Sequence, residues 1–203
     1  MSEFNCPNCG TLLRPAIQQV KMLSCESCTT TILLEDEGLR LAGEQGVLHQ
    51  VPMLFGLGDE IQINAARYQI LGQARFSYGR GTWDEFWALR EDQESAWISV
   101  DEGDLILQQS LTRSEWPRYD GYLQLGSTVE YDAEIFAVTE IGSGECTGLQ
   151  GSFGHTLYVG ETYQFYNLQG DRGRVLSAEM QEGSREWFLG RWLDPFEVEV
   201  LHR

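Results

Sequence analysis

Positive charge is what this sequence has least of. Lys21 is its lone lysine, and with the arginines it makes 14 basic residues against 31 acidic ones, a formal net charge of −17 at pH 7. Binding a phosphate lattice draws most of its affinity from Lys and Arg neutralising phosphates. The arginines here are scattered, with no run that would form a basic stripe, which excludes DNA, RNA and anionic membrane as primary partners. Long apolar runs are also missing: none approaches the roughly 18–20 residues that a membrane-spanning helix needs. The N-terminus, MSEFNCPNCG, has neither the basic n-region nor the apolar h-region of a secretory signal, so a cytoplasmic protein is expected. No stretch carries a long amphipathic helical period.

The 203 residues suffice for one or two domains. At 42% hydrophobic and 11% aromatic, with six tryptophans, the chain cannot be disordered over most of its length. The 22 glycines predict many turns.

The most specific motif lies at the N-terminus. Cys6 and Cys9 form one C-x2-C and Cys25 and Cys28 a second, with 15 residues between the pairs, the spacing of a zinc knuckle. A two-residue gap lets the chain turn so that both thiolates reach one ion, and two such turns supply the four ligands of a closed tetrahedral site. One structural Zn²⁺ is the expected cofactor, since four protein ligands leave no position for the water of a catalytic site. The alternative, a pair of redox disulfides, goes with a single C-x-x-C beside a βαβ pattern, which is missing here. Residues 4–34 thus resemble a zinc ribbon. Its Glu3 and Glu26 cancel Arg14 and Lys21, and four thiolates with one Zn²⁺ add −2, so it lacks the positive face that phosphate binding requires.

Residues 35–56 mix glycine, acid and scattered apolar residues without a period, and read as a linker partly laid against the next domain. Beyond it the chain resembles itself. An offset of 68 pairs Leu57 with Leu125, Gly58 with Gly126, Tyr68 with Phe136 and Ile70 with Val138; an offset of 79 then pairs Phe86 with Phe165, Trp87 with Tyr166 and Leu89 with Leu168. Glu102-Gly103 and Glu182-Gly183 extend the match by one further step. Each copy reads as short β-rich strands separated by turns such as NAAR and VDEGD. The fold expected is all-β: a zinc ribbon (1–34), a linker (35–56), and two tandem small antiparallel SH3-like β-barrels at 57–112 and 124–200, packed side by side. Their cores should survive metal loss.

Gly58, Tyr68, Gly72, Trp83, Asp84, Glu85, Trp87, Leu89, Trp97 and Glu102-Gly103 make the first copy resemble a bacterial family, domain of unknown function 4178. The second copy departs from it, with Thr162-Tyr163-Gln164 in place of W-D-E. The resemblance implies an accessory role: members tend to accompany membrane-remodelling proteins of the phage-shock type, small membrane proteins and polyamine-synthesis enzymes, and no catalytic residues are established.

Three features invite chemistry. Cys146 lies nine residues before His155 in a glycine-rich stretch, GSGECTGLQGSFGH, but no third group is identifiable for a Cys–His pair. The same glycines do not fit a phosphate cradle, because strand formers rather than a helix follow them, and a long hairpin loop is expected. Asp84-Glu85, Glu91-Asp92 and Asp101-Glu102 are adjacent carboxylates, which on strands point to opposite faces, and are expected on solvated turns. The tryptophans exceed what two small cores absorb easily, and Trp83, Trp87 and Trp116 are candidates for a partner surface. The expected function is a non-enzymatic module that binds a protein, with no direct nucleic-acid partner and membrane contact only through that protein. The alternative is a small-molecule sensor or enzyme using a cleft between the barrels and the Cys146/His155 loop.

Overall fold

The computed structural model describes residues 3–35, 38–49, 51–119, 122–181 and 184–202. Nearly all of it is antiparallel β-structure, with no α-helix among the described residues and no helix long and apolar enough to cross a membrane. The N-terminal module contains β1 (Phe4–Asn5) paired with β2 (Leu12–Leu13), then β3 (Met22–Ser24) and β4 (Thr30–Glu35). Within the stretch expected as a linker partly laid against the next domain, β5 (Gly38–Glu44) pairs along β4, and residues 45–47 then run beside the main sheet, Leu149 N–H donating to Gln45 O at 2.8 Å.

Two five-stranded units follow. The first is β6 (Glu60–Ile63), β7 (Ala66–Ser77), β8 (Thr82–Arg90), β9 (Ser95–Asp101) and β10 (Asp104–Ser110). The second is β11 (Thr128–Tyr131), β12 (Glu134–Phe153), β13 (Thr162–Gln169), β14 (Arg174–Gln181) and β15 (Ser184–Leu193). Each unit is a meander in which neighbours in sequence pair, and β16 (Val198–His202) returns to cover β6. Tyr68 and Phe136 hold matching positions, opposite Ile61 and Val129. Register shifts follow Ile70 on β7 and Val138 on β12, again at an offset of 68.

Beyond that point the expected alignment slips by one residue. Ala88 faces Ile70 and Leu168 faces Val138, so the offset is 80, Trp87 corresponds to Asn167, and Tyr166 corresponds to Phe86. Glu102-Gly103 matches Glu182-Gly183 at this offset, but the latter pair lies outside the described residues. The 12 residues between the two offsets are not absorbed by a loop alone. They lengthen β12, whose glycine-rich half is strand rather than the expected hairpin loop. Glycine is required there by close packing: a Cβ on Gly144 would lie 2.0 Å from the Trp83 ring, and one on Gly142 2.4 Å from that of Phe165.

Each unit has its own core, Ile61, Tyr68, Ile70, Phe86, Ala96 and Ile98 in the first and Val129, Phe136, Leu168, Leu176, Ala178 and Trp187 in the second. The units do not merely pack side by side. β10 pairs β15 through six residue pairs from Leu105–Leu193 to Ser110–Phe188, and β7 pairs the extended end of β12. The hydrogen-bonded path β7-β8-β9-β10-β15-β14-β13-β12 therefore returns to β7, a closed ring of eight strands. The β10–β15 pairing removes one open edge from each unit. The same β12 continues into the N-terminal module, Ser152 and Phe153 pairing with Leu23 and Met22 of β3. A third core spans both: Met22, Leu23 and Ile32 from the module, with Phe76, Trp87, Trp97, Leu149, Phe153 and Phe188 from the ring.

Candidate functional site

The two C-x2-C turns do what their spacing predicts. Gly10 N–H donates to Cys6 O and Thr29 N–H to Cys25 O, both at 2.8 Å, closing one tight turn after each pair. Gly10 and Thr29 both have positive φ there. All four Sγ atoms lie within 4.8 Å of one another, with Cys6–Cys28 and Cys9–Cys25 at 3.7 Å. These separations are far beyond a disulfide bond, and a tetrahedron with metal–sulfur bonds of about 2.3 Å has sulfur–sulfur edges of about 3.8 Å. The donor set and its size thus fit one metal ion. Burial pushes the Cys25 thiol up to about 11, whereas hydrogen bonds with Thr30 hold Cys28 down to about 6.

A second candidate site lies inside the ring between the two units, the region in which the sensor-or-enzyme alternative expected a cleft. Two cavities of about 400 and 710 Å³ share a wall formed by Phe76, Glu85, Tyr163 and Glu179. Their linings draw on seven of the eight ring strands, all except β10. Strand alternation explains which side chains face inward. On β8, Trp83 and Glu85 line the cavity and Trp87 the core beyond it, while Asp84 and Phe86 point the other way.

The expected solvated turns therefore need correcting for Asp84-Glu85. Asp84 is buried and ion-paired with Arg75, Nη2 to Oδ2 at 3.0 Å, and Arg75 Nη1 also donates to His49 O at 2.6 Å. Glu85 accepts from Ser99 Oγ at 2.8 Å and from Trp83 Nε1 at 2.9 Å. Burial outweighs these bonds and pushes Glu85 up to about 7. Glu179 has no side-chain hydrogen bond or ion pair among the described residues. Burial, then the charges of Glu85 and Glu186, push it up to about 8. An inward Glu in a W-x-E-x-W strand was the one available sequence signal for this site.

Of the expected site residues, Trp87 is 0% exposed and offers nothing to a partner. Gly154 packs against its ring. Trp83 stacks on Phe76 with ring centres 5.1 Å apart, and the half-buried Trp116 packs against the second unit's core. Cys146 and His155 do not meet in a cavity. His155 lines the smaller one, where burial lowers its pKa against the pull of Glu186. Cys146 is buried outside it, its thiol pushed up to about 12 by burial, so it is no nucleophile at neutral pH.

The model of the family described as domain of unknown function 4178 matches residues 56–195, the two units without the metal knuckle. The chain belongs to this family. No curated protein and no solved structure matches it. In this member of the domain of unknown function 4178 family, the matched span covers the ring and every described lining residue of its cavities except Lys21.

Proposed function

We propose that the chain is a non-catalytic binding module: a zinc-stapled knuckle docked on a ring, formed by two units of one duplicated ancestor, that holds a small molecule. The ring cavity carries this reading. It has the volume usual for small-molecule sites, and its central carboxyls Glu85, Glu179 and Glu186 sit on strands. Zinc is the metal of choice for a closed four-thiolate site. Elemental analysis should give about one zinc per chain, lost in Cys25→Ser. For the cavity, purified protein screened against a metabolite library should give a saturable rise in melting temperature together with a change in tryptophan emission, since Trp83 and Trp97 line it. A library that moves neither signal counts against the cavity.

Docking to a protein is a second reading, in line with the cytoplasmic, membrane-stress accessory role that the family resemblance implies. Phe196 favours it: it is 98% exposed on a turn held rigid by the Asp194–Glu197 capping box. Titration against a phage-shock-type membrane-remodelling protein should show binding that Phe196→Ala abolishes; equal binding by the variant removes this surface from consideration.

A further inference from the structure

We infer that the ring cavity takes an organic ammonium ion, its charged head between Glu85 and Glu179 and its apolar body against the aromatic wall beside them. This rests on the cavity-binding reading and names the ligand class.

The ionisable groups at the centre of the cavity are carboxyls. Glu85 and Glu179 face each other across the shared wall, and Glu186 lies beside Glu179. The larger cavity adds Asp101, Glu102 and Glu140. Lys21 and Arg80 contribute one cation to each cavity, and neither forms an ion pair with Glu85 or Glu179. His155, already close to Glu186 at 3.4 Å, has its pKa lowered by burial. An anionic ligand would meet this field unfavourably.

A metal ion does not fit either. Among the described residues the four cysteines are the sole cluster of three or more ligand atoms close enough for one ion, so Glu85, Glu179, Glu186 and His155 do not converge. The walls are instead aromatic. Phe76 stacks on Trp83, Tyr163 meets the Phe76 edge-on with centres 5.7 Å apart, and Phe165 meets Trp83 likewise at 5.5 Å. Aromatic faces attract a weakly hydrated cation and repay the burial of its hydrocarbon body. An ammonium also supplies the N–H donors that Glu179 lacks, while Glu85 is held in one orientation by Ser99 and Trp83.

Protonation gives the inference a sign. Without a ligand, Glu179 and Glu85 hold protons well above the ordinary carboxylate range. Both face each other, Glu179 also faces Glu186, and Tyr163 stays neutral, pushed up to about 12 by burial. A bound cation favours the carboxylate and displaces a proton, so affinity should rise from pH 6 to pH 8.

The test is calorimetric titration of the whole protein with benzylammonium, benzyl alcohol and benzoate, each at pH 6 and pH 8, in buffers of different ionisation enthalpy. Benzylammonium should bind at least tenfold more tightly than the alcohol, with proton release at pH 7, and benzoate should not bind. Glu179→Gln should weaken ammonium binding at least tenfold and reduce its pH dependence, and Glu85→Gln should weaken it while Ser99 and Trp83 keep their partner. Equal or tighter binding of the alcohol or benzoate overturns the ammonium inference but leaves the cavity reading standing. Absence of benzylammonium binding, or a Glu179→Gln variant that binds it as wild type does, also overturns the inference; the metabolite screen judges the cavity separately.

Discussion

Glu85 and Asp84 are neighbours in sequence with opposite fates. Asp84 has Arg75 for a partner, whereas Glu85 and Glu179 have no cation and keep their protons instead. A raised carboxyl pKa means that the folded chain binds a proton that the unfolded chain has already released, so stability falls as pH rises from about 4.5 towards 8. In ligand-free protein, melting temperature should decline across that window. Glu179→Gln should flatten the decline and melt higher than wild type at pH 8; an unchanged pH profile in the variant would contradict the buried, unpaired carboxyl. Gly144→Ala should act in the opposite direction. Its Cβ would press into a Trp83 ring already stacked between Phe76 and Tyr78, which cannot swing away. Overpacking of this kind costs about 1–3 kcal/mol, readable by denaturant titration.

At the scale of elements, strands were legible wherever β-formers alternate between turn signals. TWDEFWALR, SAWIS and DLILQQS fall on β8, β9 and β10, and TVEY falls on β11. What escaped was set by contacts across the fold. The glycines from 142 to 154 mark a turn by local chemistry, but Trp83 and Phe165 need their missing side chains, and most of that stretch is strand. The slip at Trp87 has the same origin: a pattern of aromatics admits two registers one residue apart, and only the pairing of Ala88 with Ile70 and of Leu168 with Val138 distinguishes them. The clustering of the four cysteines was readable because they come as two local pairs, while Glu85 and Glu179 come together only through ring closure. The Arg75–Asp84 pair ties β7 and β8 to residue 49. Asp84→Ala should cost about 3–5 kcal/mol by leaving Arg75 buried and unpaired, and a double replacement by Met at 75 and Leu at 84 should recover most of it. Urea unfolding of the wild type and both variants checks this.

On the scale of the whole molecule, the cysteine knuckle and the ring share one sheet and one core, which argues for their unfolding together rather than for barrels that survive metal loss. β3 extends the ring's sheet through β12, and Lys21 N–H donates to Phe153 O at 2.8 Å. Phe153, 0% exposed, packs with Trp97 on one side and belongs to the same core as Met22 and Ile32 of the metal module. A module of this size does not hold its fold without its ion, so releasing the metal uncovers the end of the ring as well. Chelation, or Cys25→Ser, should therefore lower the melting temperature of the ring by roughly 10 °C, the shift that a loss of about 3–5 kcal/mol produces at this length. The protein with its metal should unfold in a single transition. Near-ultraviolet circular dichroism of the tryptophans, followed beside metal release, reads both at once. A ring signal that melts at the same temperature with and without metal would mean that the shared core around Phe153 contributes little, and that the knuckle is an independent appendage after all.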